Sequence, residues 1–139
     1  SIQDIAREIV KVGDVYRIKM NQQNGIVPKK GDDSRHKFFI VLGFDCDGNV
    51  YGGVIINSNI NQNVPQVVKD WQMPIKCSKY SFLEHDSFVD CSKLKCAEIE
   101  KFNTWEYLGV IELEDVELII DTIKESPKET QEHLAAFGL

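Results

Sequence analysis

The sequence predicts a mainly β domain of α+β class: a small, strongly curved antiparallel sheet with helices packed around it. Short apolar runs recur along the chain, separated by turn residues. The two most apolar runs, 37–44 and 50–57, flank Asp45-Cys46-Asp47-Gly48-Asn49, and Asp-Gly is a strong hairpin signal. A segment of helical period, 114–125, follows the last run and carries one apolar face.

The elements follow in order. Residues 2–10 set Ile2, Ile5, Ala6, Ile9 and Val10 on one helical face, and Gly13 ends that segment. Residues 14–20 alternate Val15, Ile18 and Met20 with charged residues and read as a strand. Residues 21–34 are polar, with two glycines and a proline, and read as a long functional loop. Strands 37–44 and 50–57 follow, with Gly52-Gly53 marking a bulge or a close backbone approach. A polar excursion, 61–72, surrounds Pro65. Short strands are expected within 73–77 and 81–91, and a helical segment over 92–103, capped by Ser92. Residues 107–111 make a last strand. The helix at 114–125 turns Val116, Ile119, Ile120 and Ile123 inward and stops at Pro127; a weaker helix covers 128–137. Several short strands and a closing helix point to an SH3-like antiparallel β-barrel with an added N-terminal helix. A length of 139 residues suits one domain: helix 1–10, barrel and closing helix 11–125, tail 126–139.

Composition bounds the function. A net charge of −6 argues against a general nucleic-acid binder. The distribution softens that, because Arg17, Lys19, Lys29, Lys30, Arg35, His36 and Lys37 fall in the first third and much of the acid follows Glu98. A locally basic face on an acidic chain fits both facts. The four cysteines, Cys46, Cys77, Cys91 and Cys96, form no CxxC pair. They read as buried reduced thiols in a cytoplasmic protein, ahead of a Cys91–Cys96 or Cys77–Cys91 disulfide and ahead of a metal site. No cofactor is called for. No apolar run approaches the ~20 residues of a membrane span, so no membrane partner is expected.

The candidate site lies where Ser34-Arg35-His36-Lys37 opens one apolar strand and Asn57-Ser58-Asn59-Ile60-Asn61 closes the next. A hairpin brings both polar ends to one side of the sheet. Cations beside short hydrogen-bonding side chains suit a phosphate. His36 and Lys37 must point to opposite faces. The plainer readings are a solvated Arg35, amides satisfying a turn, His85 as a surface or capping residue, and a structural Asp86-Ser87. Trp71 and Trp105 read as packing residues, and Tyr51, Phe82 and Phe88 as core.

The order of pieces resembles the MazF/PemK-like toxins. Lys11-Val12-Gly13-Asp14-Val15-Tyr16 resembles the family's opening G-D-V-Y/W strand. The loop 21–34 stands where the family has a glycine-rich loop. Arg35-His36-Lys37-Phe38-Phe39-Ile40-Val41 occupies the Arg-Pro position, with His36 in place of proline. Ile56-Asn57-Ser58 falls at an Ile-Thr motif, so the threonine position is Asn57 or Ser58. Phe82-Leu83-Glu84-His85-Asp86-Ser87 resembles the aromatic-x-x-x-Asp-Ser segment.

The resemblance implies a metal-independent endoribonuclease toxin, a cytoplasmic homodimer held inactive by a protein or RNA antitoxin. In that family the ribose 2′-hydroxyl of single-stranded RNA attacks the adjacent phosphate, leaving a 2′,3′-cyclic phosphate. Arg35 carries over as the charge clamp, its planar fork holding two phosphate oxygens. Asn57 and Ser58 are donors to the same phosphate. His36 is the candidate acid or base from its chemistry alone, and His85 a second one. Lys29, Lys30, Lys37, Asn59 and His85 are the expected RNA contacts. The alternative is a non-catalytic barrel that binds a protein or nucleic-acid partner at the same residues.

Overall fold

The computed structural model describes residues 1–26 and 34–139. Lys29 and Lys30 lie outside the described residues. Helix α1 (Ile2–Ile9) leads into β1 (Asp14–Asn21), a 3-10 turn (Gln22–Asn24), β2 (Ser34–Phe44) and β3 (Val50–Asn57). A short α2 (Gln66–Asp70) precedes β4 (Gln72–Ile75), β5 (Ser87–Asp90) and β6 (Lys95–Glu98). After a 3-10 segment (Ile99–Thr104) come β7 (Glu106–Val110), α3 (Leu113–Lys124) and α4 (Gln131–Ala136). No helix among the described residues is long and apolar enough to cross a membrane.

The protein is a mixed α/β fold around one antiparallel sheet of seven strands. The order is β4-β5-β3-β2-β1-β7, and β6 also pairs with β3. The expected barrel closure is absent among these strands, because β4 and β7 stand as edges. β4 is four residues long and contains Pro74, which has no N–H to offer a further strand.

Both faces of the sheet are covered. One carries Val15, Ile40, Leu42, Val54, Ile56 and Val89 against Val116, Ile119 and Ile123 of α3 and Leu134 and Phe137 of the C-terminal segment. The other carries Tyr16, Ile18, Met20, Phe39, Val41, Tyr51 and Ile55 beneath Ala6, Val10, Ile99 and Trp105. Alternation along β1 puts Val15 in the first cluster and Tyr16, Ile18 and Met20 in the second.

The hairpin forms as the turn residues predict. Asp45 Oδ1 accepts the N–H groups of Asn49 at 2.8 Å and Val50 at 3.1 Å, and Gly48 takes φ +68°. The expected close approach at the glycine pair is real. A Cβ on Gly53 would lie 2.0 Å from the Ile40 carbonyl oxygen, and one on Gly52 would lie 2.7 Å from the Phe137 ring.

Two expectations are corrected. The helical segment expected over 92–103 forms only from Ile99 onward, as the 3-10 segment Ile99–Thr104, and Lys95–Glu98 is a strand instead. Strand β6 pairs with Val50–Gly53, the half of β3 that β5 leaves free, so an available sheet edge outweighs local helical period. Ser92 donates its hydroxyl to buried Asp90 at 2.6 Å instead of capping a helix. Helix α1 is rolled from its expected orientation. Ala6 and Val10 are buried, but Ile2, Ile5 and Ile9 face outward, Ile9 being 54% exposed. Arg7 fixes the roll by reaching the hairpin turn, donating to Asn49 Oδ1 at 2.5 Å and Gly48 O at 3.4 Å.

All four cysteines are free. Cys91 is buried, and that burial pushes its thiol up to about 12. Cys46 is exposed on the hairpin turn and Cys77 and Cys96 are only partly buried, so the reading of all four as buried thiols holds for Cys91 alone.

Candidate nucleic-acid interface

The candidate residues gather where β1 ends, β2 begins, β3 ends and β5 begins. Register defines what shares a face. Met20 lies opposite Arg35, Lys19 opposite His36, and Ile18 opposite Lys37. Alternation along β2 therefore sets Arg35 and Lys37 on the face of buried Phe39 and Val41. His36 lies on the other face, exposed beside Lys19 and Arg17.

Phe38 pairs with Ile56, so the next pair outward is Lys37 with Asn57. Their side chains meet: Lys37 Nζ donates to Asn57 Oδ1 at 2.7 Å. An ammonium has only donors, so it fixes the amide with its oxygen toward Lys37 and its NH2 group elsewhere. The pair is a cation joined to a fixed neutral donor, with Arg35 two residues along on the same face. That combination is suited to an anionic oxygen.

Asn57 in turn lies opposite Phe88 of β5, and Phe88 opposite Pro74 of β4. One row thus crosses the face as Ile18, Lys37, Asn57, Phe88 and Pro74. Phe88 is not the core residue that its aromatic character predicts. It is half-buried and among the described residues belongs to neither hydrophobic cluster, whereas Tyr51 is core and Phe82 packs on the first cluster. The sequence signal for this was alternation: Ser87 and Val89 are buried on one face, which leaves Phe88 on the other.

Ser58 and Asn59 follow Asn57 and are exposed. His85 sits just before β5, at the same end of the sheet. Its Nδ1 lies 3.0 Å from Asp86 O, and Ser87 donates its hydroxyl to His85 O at 3.0 Å. Asp86 Oδ1 accepts from the Cys77 N–H at 3.0 Å, a turn-tying contact. Helix α1 does not reach this end, since Arg7 holds it to the 45–49 turn at the far end of β2.

Another charge cluster among the described residues lies elsewhere. Lys79 Nζ meets Glu112, Glu114 and Asp115 at 3.1, 2.9 and 2.9 Å, beside a cavity of about 330 Å³. These carboxylates, Glu114 first, hold the ammonium above its ordinary range. Tyr80, buried next to it, donates to Asp115 and accepts from the Glu112 N–H at 3.1 Å. Burial, then the Asp115 hydrogen bond, pushes the phenol up to about 12. The cluster ties the 76–86 segment to the start of α3, and every charge in it has a partner. No group of three or more His, Cys, Asp and Glu side chains among the described residues is arranged to hold a metal ion.

The sequence matches no protein-family model and no curated protein. The candidate interface is therefore described by its geometry alone: Arg35, Lys37 and Asn57 share one face at one end of the sheet.

Proposed function

We propose that this protein is a MazF/PemK-like endoribonuclease toxin that binds single-stranded RNA at the basic end of its sheet and cleaves it without a metal. One observation carries the reading: Lys37 holds Asn57 at 2.7 Å while Arg35 shares their face. The curved sheet is read as an opened relative of the SH3-like barrel. In this scheme Arg35 clamps two non-bridging oxygens of the scissile phosphate, and Lys37 adds charge beside it. The Asn57 NH2 and the Ser58 hydroxyl donate to the same group. The ribose 2′-hydroxyl gives its proton to a general base as its oxygen attacks phosphorus, the P–O5′ bond breaks, the 5′-oxygen takes up a proton, and a 2′,3′-cyclic phosphate remains. His36 faces away from Arg35, so His85, at the same end of the sheet, is the imidazole better situated for proton transfer. Lys29, Lys30 and Asn59 extend the contact to flanking phosphates. Cytoplasmic location, a homodimer and a protein or RNA antitoxin complete the reading.

The separation of His36 from Arg35 favours a second reading, a barrel-like module that binds RNA without cutting it. The test is digestion of a long single-stranded RNA in EDTA by the wild type and by Arg35→Ala. Discrete fragments with cyclic phosphate ends from the wild type alone support the nuclease. Binding without fragments supports the module, and neither binding nor cleavage overturns both.

A further inference from the structure

We propose that Phe88 is a base-stacking residue of this interface, holding a nucleobase while Lys37 and Arg35 hold the backbone. The inference rests on the RNA reading above and adds a side chain to it. Four observations lead there. Phe88 is directly opposite Asn57, whose amide oxygen is tied to Lys37. It points to the same face as Lys37 and Arg35. It is half-buried, and among the described residues it belongs to neither hydrophobic cluster. Its other cross-strand neighbour is Pro74, which is exposed and flat, on the edge strand β4.

Neighbouring strands lie about 4.8 Å apart, so Lys37 on β2 and Phe88 on β5 are about 10 Å apart across β3. That span suits one nucleotide, with its phosphate at the cation and its base over the ring. Single-stranded nucleic acid is commonly bound in this way, by a positive track with an aromatic face beside it. The partner class follows from charge. Arg35 and Lys37 favour a polyanion, and an aromatic face beside them favours one that carries planar bases.

The test is binding of a short, fluorescein-labelled, 2′-O-methylated single-stranded RNA, which resists cleavage, followed by anisotropy over a series of salt concentrations. An abasic oligomer of the same length is the control. Phe88→Leu keeps apolar volume without a π face and guards against a folding defect; Phe88→Tyr keeps the face. Phe88→Ala and Phe88→Leu should each weaken binding about tenfold, with an unchanged salt slope, while Phe88→Tyr binds as the wild type does. The abasic oligomer should bind all four proteins equally. Wild-type affinity in a folded Phe88→Leu protein overturns the stacking role and leaves the RNA reading standing. A wild type that binds neither oligomer overturns both.

Discussion

Lys37 donates its ammonium to the Asn57 amide oxygen at 2.7 Å, joining the first residues of β2 to the last residue of β3. The contact makes one unit of two segments that lie 20 residues apart in the chain. If that unit meets RNA, Lys37→Ala should weaken binding at every sequence and lower the salt slope by about one, since one phosphate contact is lost. Asn57→Ala should weaken binding with little change in slope. An unchanged salt slope in Lys37→Ala would place the phosphate contact elsewhere.

Gly53 is irreplaceable on packing grounds. Its backbone is not strained, but an added methyl group would meet the Ile40 carbonyl 2.0 Å away and the Phe39 ring 2.7 Å away. Neither is the free end of a flexible side chain. Gly53→Ala should cost about 3 kcal/mol in urea unfolding, through forced separation of β2 and β3. A loss below about 1 kcal/mol would mean that the hairpin can open at this point.

Tyr51 presents the opposite case. The residue is 1% exposed, and its hydroxyl has no hydrogen-bond partner among the described residues. A buried donor left unpaired costs free energy. Tyr51→Phe retains the ring against Phe44 and Trp105 and removes the unpaired group. Its midpoint in thermal unfolding should rise, by the equivalent of about 1 kcal/mol. A fall would reveal a partner for the hydroxyl, such as a bound water.

Glu129 sets an acid limit on stability. Its side chain is 2% exposed. Burial by itself would raise its pKa, but the Leu94 and Thr130 N–H groups at 2.8 and 2.9 Å and His133 Nδ1 at 2.7 Å outweigh it, and the net shift is downward. A depressed folded pKa contributes stability that is complete above the ordinary value of 4.5 and is lost as pH falls through the folded value. Urea unfolding from pH 7 to pH 3 should therefore show a steeper acid decline for the wild type than for Glu129→Gln. Parallel curves would exclude Glu129 as the source.

Much of the fold was legible because it rests on local rules. The Asp45–Asn49 turn, the strand at 50–57 and the inward set Val116, Ile119 and Ile123 follow from turn chemistry and periodicity, and each forms. The motif Gly13-Asp14 is also local in origin. Gly13 takes φ +94°, and buried Asp14 accepts from the Lys11 N–H at 2.9 Å and the Tyr16 hydroxyl at 3.3 Å. The strand at 95–98 was hidden because its reason is a distant edge on β3. The outward turn of Ile2, Ile5 and Ile9 was hidden because Arg7 binds a turn some forty residues away.

At the candidate site the same division holds. Sequence alone determined the ingredients: a cationic strand start, an amide-rich strand end, a hairpin to bring them to one side, and the alternation that separates His36 from Lys37. Tertiary structure alone decided the partners. Register chose Lys37 for Asn57, and set Phe88 beside them from a strand 30 residues further on. A backbone carries its periodicity within itself, whereas a cross-strand neighbour is chosen by how the whole sheet is paired.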